Sequence, residues 1–141
     1  MIKGNKKLAI SEEEQTQFNS IATNKVNFAS FDIIKVLGSG AFGKVFLVED
    51  KFKKIFALKC IKKKNVIANS LESYILSEKA TLEEINYPFI NKLYTTFHDA
   101  KFVYFLLKYV DGGDFFHILR GLGHCSKDKA RFYFGCFVLA I

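Results

Sequence analysis

From residue 31 onward, apolar and polar positions alternate in short runs separated by glycine, lysine and asparagine clusters, a pattern of strands joined by turns. The first run, 31–37, stops at Gly38-Ser39-Gly40; the second covers 44–50; a third, 55–61, follows the turn Lys51-Phe52-Lys53-Lys54. Connections this short imply an antiparallel meander. Lys62-Lys63-Lys64 reads as a polar, basic link, and the pattern then changes to a helix over 71–86. Tyr87-Pro88 ends that helix, since the residue before proline is driven from the α region. Two further strands, 92–97 and 102–110, flank a hairpin turn at His98-Asp99-Ala100-Lys101. Gly112-Gly113 breaks the pattern, a short helix follows over 114–120, and Ser126 has the position of an N-cap for a last helix running to the end. Residues 1–30 lack clean periodicity and read as an arm or linker, although Ser11 and Glu14 have capping-box spacing.

The last helix is unusual. Phe132, Phe134, Phe137, Val138, Leu139 and Ile141 make it apolar almost all round, with no glycine, lysine or proline to close it. A helix of that kind belongs inside something larger, so the chain reads as cut short.

Composition narrows the classes. The chain has 141 residues, 50% of them hydrophobic and 25% charged, which suits one ordinary domain and excludes disorder. Its central apolar run, 102–107, is far below the ~20 residues of a membrane span, and the first thirty residues lack a secretory apolar region. Cys60, Cys125 and Cys136 form no C-x-x-C pair, which fits a reducing, cytoplasmic setting. His117, His124 and Cys125 lack a fourth ligand at zinc spacing, so no metal site is expected. The net charge of +7 permits an anionic partner without choosing one. An aromatic RNA-binding strand would need its rings on a polar face; these 16 Phe and 6 Tyr lie largely in apolar stripes, so no nucleic-acid partner is expected.

Two charged residues stand where apolar ones belong. In the third strand Ala57, Lys59 and Ile61 share a face, which puts an ammonium among aliphatic neighbours. In the helix, Leu71, Ile75, Leu82 and Ile85 form a seam whose missing position is Glu78. Each side chain could snorkel to solvent alone; both lose the cost of desolvation if they meet. Upstream lies Gly38-Ser39-Gly40-Ala41-Phe42-Gly43, a G-x-G-x-x-G loop followed by a strand. A Rossmann turn would lead into a helix and place an acidic residue about twenty residues on. Glycines between antiparallel strands instead let backbone amides close over phosphates.

The glycine loop, Val45, Ala57-Leu58-Lys59 and Glu78, in this order, resemble the small lobe of a protein kinase. Tyr87-Pro88-Phe89-Ile90, Tyr109-Val110-Asp111-Gly112-Gly113-Asp114 and Ala130-Arg131-Phe132-Tyr133 are similar to the AGC serine/threonine group, especially its cyclic-nucleotide-dependent arm. The resemblance implies an α+β fold: a five-stranded antiparallel sheet with one main helix over 31–110, then the hinge end and first helices of a truncated large lobe over 111–141. It implies ATP as ligand, with Gly38, Ser39, Gly40, Ala41, Phe42 and Gly43 over the phosphates and Lys59, oriented by Glu78, on the α- and β-phosphates. Leu37, Val45 and Ala57 would sandwich the adenine, Leu107 would be the gatekeeper, backbone from Lys108 to Val110 would bond the adenine edge, and Asp114 would lie near the ribose and a basic-substrate subsite. Lys108 replaces the family's usual acid, and Asp114 its usual Glu. Cyclic-nucleotide domains upstream are a further implication.

The catalytic loop, D-F-G and A-P-E are absent from these residues, and with them the catalytic base and the Mg2+ ligands. Phosphoryl transfer by this chain alone is therefore not expected; Mg2+ would enter only in a complete kinase. The alternatives are a short regulatory fragment of a kinase and, less well supported, a basic nucleic-acid-binding domain.

Overall fold

Side chains alternate between the two faces of the sheet, and burial on both faces makes the central strands buried in continuous runs while the first strand stays largely exposed. The computed structural model describes residues 26–40 and 43–141, with the Leu122 side chain excepted. The Ser11–Glu14 capping box and the loop-tip residues Ala41 and Phe42 lie outside the described residues. After a 3-10 turn at Phe28–Ser30 come β1 (Phe31–Gly40), β2 (Gly43–Asp50) and β3 (Ile55–Lys62). Two helices follow, α1 (Lys63–Ala68) and α2 (Glu72–Glu84), then β4 (Leu93–His98), β5 (Phe102–Lys108), α3 (Phe115–Leu122) and α4 (Lys127–Ala140). The sheet is antiparallel throughout, in the order β1-β2-β3-β5-β4. The expected α+β architecture is present.

On one face Ile61, Val66, Ile75, Leu93, Val103 and Phe105 form a buried cluster, against which Leu71 and Leu82 pack. On the other, Val48, Leu58, Cys60, Phe97, Tyr104 and Leu106 form a second cluster. Phe97 stacks on Tyr104 at 4.7 Å between ring centroids, and Phe31 stacks on Phe97 at 6.2 Å. Each fully buried Phe or Leu contributes about 1.5–3 kcal/mol, which is what holds β3 and β5 at the centre.

Several boundaries differ from the sequence reading. β1 runs on through the glycines, because Ser39 pairs with Lys44 and Gly40 with Gly43 across a two-residue hairpin. α2 ends at Glu84, before the expected 86, since Ile85 has already turned to an extended backbone (φ −85°, ψ 117°). β5 stops at Lys108, not at 110. The triple-lysine link is the end of β3 and the start of α1, and Lys63 within it is fully buried. A run of lysines reads as solvated; here the aliphatic stem of Lys63 lies inside while its Nζ is 3.3 Å from His98 Nδ1.

The chain's second half follows its caps. Asp114 caps α3 by accepting from the His117 N–H, and Ser126 caps α4 by accepting from the Lys129 N–H. Gly112 and Gly113 adopt φ of 98° and 79°, a conformation glycine reaches without a Cβ penalty. On α4, Phe132, Phe134 and Phe137 are all more than 60% exposed.

Candidate functional site

Strand register gathers most of the singled-out residues on one face. Val45 pairs with Lys59, which pairs with Phe105; in the next row Leu47 pairs with Ala57, which pairs with Leu107. Directly paired residues point to the same side of a sheet, so an aliphatic shelf adjoins a lysine. Ala57 is buried, whereas Val45 and Leu107 are half-buried.

The lysine is met from above by α2. Lys59 Nζ lies 2.6 Å from Glu78 Oε1 and 5.6 Å from the Phe105 ring centroid. Ile75, one turn before Glu78, is buried in the cluster beneath the helix, and Leu82, one turn after it, packs there too, which aims the carboxylate at the strand. The pair is not sealed off: the Lys59 and Glu78 side chains are 31% and 23% exposed. A charge-assisted hydrogen bond of this length fixes the ammonium while leaving its other protons for a ligand. Glu78 Oε2 is buried with no hydrogen-bond partner among the described residues.

The glycine hairpin sits at the end of the same shelf. Gly43 lies so close to β3 that a Cβ there would be 1.8 Å from the Cys60 carbonyl oxygen, so glycine is required for packing. Gly38 and Gly40 meet nothing within 4 Å of such a Cβ. Register shifts between Ile33 and Lys35 and between Val36 and Gly38 skip Ile34 and Leu37, and leave the Leu37 side chain 38% exposed. Ser39 pairs with Lys44 at the base of the hairpin.

At the far end, the Lys108 N–H is taken by the Lys92 carbonyl at 2.8 Å, so it is not available to a ligand. Tyr109 and Val110 lie past the end of β5, and Val110 is 62% exposed. Asp114 is more committed than its sequence position suggests. Its carboxylate accepts from the His117 N–H at 2.9 Å and lies 3.0 Å from His117 Nδ1; the backbone hydrogen bond, foremost, holds it below the usual carboxylate range.

Sequence reasoning passed over a second charged cluster, behind α1. Burial lowers the Lys63 ammonium, while burial and the nearby Lys63 charge lower His98. Burial would raise Asp99, yet hydrogen bonds from the Tyr104 hydroxyl at 2.7 Å and from the Lys101 and Phe102 N–H groups outweigh it and hold it low. No local motif announces this cluster; its signal was Asp99 at a hairpin turn opposite a triple lysine.

Among the described residues, no group of three or more His, Cys, Asp and Glu could hold a metal ion. The site thus combines an anchored, partly exposed cation with an aliphatic shelf and a glycine hairpin. Those are the parts needed to hold a phosphorylated, planar apolar ligand. Residues 31–141 match the family described as Protein kinase domain, and the chain belongs to that family. It is 40% identical to a cGMP-dependent protein kinase 2 of Rattus norvegicus over 126 residues, covering 89% of this chain and 16% of that kinase. It is also 40% identical to a cGMP-dependent protein kinase of Toxoplasma gondii over 118 residues, covering 83% of the chain and 12% of that protein. A cAMP-dependent protein kinase catalytic subunit of Homo sapiens is 39% identical over 112 residues, covering 79% of the chain and 31% of that subunit. The chain therefore spans a small part of the length of these relatives.

Proposed function

We propose that these 141 residues form the ATP-binding portion of a serine/threonine protein kinase, with residues 31–110 as its small lobe and 111–141 as the start of its large lobe. The observation that carries this is the 2.6 Å contact of Lys59 with Glu78 on the shelf beside the glycine hairpin. ATP fits the residues present: Lys59 retains exposed donor capacity for the α- and β-phosphates, and the likeness to kinases assigns the covering of those phosphates to the glycine loop. Val45, Ala57 and Leu37 hold the adenine, Leu107 limits its depth, and backbone groups beyond β5 through Val110 bond its edge. In that role ATP supplies the γ-phosphoryl group that a complete kinase moves to a Ser or Thr hydroxyl.

On their own, these residues bind nucleotide and transfer nothing, because they include neither a catalytic-loop aspartate nor D-F-G. Mg2+ belongs with those motifs. The relatives' names support regulation by a cyclic nucleotide through domains outside this sequence. Protein substrates with basic residues follow from the same likeness, with Asp114 as the contact; its engagement with His117 weakens that part of the reading.

The test is calorimetric titration of ATP into the 141-residue chain and into Lys59→Met. Saturable binding by the first, weakened about tenfold or more in the second, is expected. Failure of the native chain to bind ATP, with its fold intact, would overturn the proposal.

A further inference from the structure

The sheet face opposite Lys59 carries a cavity of about 570 Å3. That volume falls inside the roughly 300–1,000 Å3 range of small-molecule sites. Its chemistry follows from strand alternation: Lys44 and Phe46 on β2, Cys60 and Lys62 on β3, and Phe102 and Tyr104 on β5 all point away from the nucleotide shelf. Lys44 pairs with Cys60, and Lys62 pairs with Phe102, so the two lysines flank one aromatic-lined hollow. Phe28 stacks on Tyr104 at 5.4 Å and walls one side. Burial pushes the Cys60 thiol up to about 12, so it serves as inert apolar floor.

The electrostatics are lopsided. Lys44 and Lys62 are exposed and enter no ion pair among the described residues. Among the described residues Asp99 is the one carboxylate lining the cavity, and its oxygens already accept from the Tyr104 hydroxyl and two backbone N–H groups. Two unneutralised ammonium groups thus border an apolar, ring-lined hollow, a combination complementary to an anion with a flat apolar body.

We propose that this cavity is a second ligand site, taking a small planar aromatic carboxylate or sulfonate. The ring lies against Phe46, Phe102 and Tyr104, and the anionic group is held by Lys44 and Lys62. Gly40 and Gly43 line the same cavity, so a ligand there touches the back of the glycine hairpin. The proposal does not depend on the nucleotide reading.

The probe is 2-naphthoate, titrated into the full chain and followed through the backbone amide signals of Gly43, Cys60 and Tyr104. Expected are saturable shifts at these three positions, an affinity independent of protein concentration, and no displacement by saturating ATP. Lys44→Gln with Lys62→Gln, at exposed positions, lowers the affinity about tenfold or more, and uncharged 2-naphthamide shows the same loss on the native chain. Absence of saturable shifts in the full chain overturns the proposal, including the case in which residues 1–25 already fill the hollow. So does binding indifferent to both lysines and to the probe's charge, displacement by ATP, or binding lost as the chain self-associates.

Discussion

Lys59 Nζ meets Glu78 Oε1 at 2.6 Å across nineteen residues of sequence, while Oε2 of the same carboxylate is buried and lacks a hydrogen-bond partner among the described residues. An ion pair satisfied on one side only adds little to stability, and removing its cation strands a carboxylate. Lys59→Met is expected to destabilise the chain by about 1–3 kcal/mol, whereas Lys59→Met with Glu78→Leu recovers most of that loss. ATP binding is expected to be weakened about tenfold or more in both. Urea unfolding and calorimetric titration together check this; additive losses in the double variant would show that the two side chains contribute independently and that no stranded carboxylate accounts for the single-variant loss.

The glycines of the hairpin divide by what stands over them. A Cβ on Gly43 would meet the Cys60 carbonyl oxygen at 1.8 Å, and backbone cannot give way as a side chain can. Gly43→Ala is therefore expected to cost about 1–3 kcal/mol, as overpacking does. Gly38→Ala and Gly40→Ala, where nothing lies within 4 Å, should change stability by less than about 0.5 kcal/mol. If these two also weaken ATP binding, their smallness serves the ligand. Unfolding midpoints for the three variants decide the first part.

Much of this was legible in the chain because it is written in local periodicity. Alternation gave the five strands, and the two charges that broke the apolar faces, Lys59 and Glu78, proved to face each other. The cap at Ser126 was equally plain, whereas Asp114, which reads as the first residue of its helix, is that helix's N-cap. Lys63 was not: three lysines in a row carry no period, and its partner His98 lies 35 residues away. The continuation of β1 through its glycines was hidden for a similar reason, since the pairing of Ser39 with Lys44 is a property of two strands together. The back cavity was obscured because Lys44 and Lys62, at strand ends, look like an ordinary solvated edge.

Asp114 separates a folding role from a ligand role. As N-cap of α3 it accepts from the His117 N–H, so Asp114→Ala should cost about 0.5–2 kcal/mol. Asp114→Asn keeps the cap and removes the charge, leaving stability within about 0.5 kcal/mol of the native chain. ATP affinity that falls in Asn as well as in Ala would support the ribose contact. Equal affinity in Asn and the native chain would leave Asp114 with the cap alone.

Protonation of His98 offers the last test. Its Nδ1 can accept from the buried Lys63 ammonium at 3.3 Å only while that nitrogen is unprotonated. Burial, then the Lys63 charge, lower His98 below its ordinary 6.5, so it is neutral in the folded chain at pH 7. As pH falls through about 6.5, the unfolded chain takes up the proton first, and stability declines until the folded pKa is passed. Asp99, held below its ordinary 3.8, adds a separate decline at more acid pH. Urea midpoints at about pH 7.5, 6 and 5 should fall for the native chain, while His98→Gln, which keeps an acceptor and does not titrate, loses less over the same interval. Identical slopes for the two would mean that the Lys63–His98 contact does not sense protons.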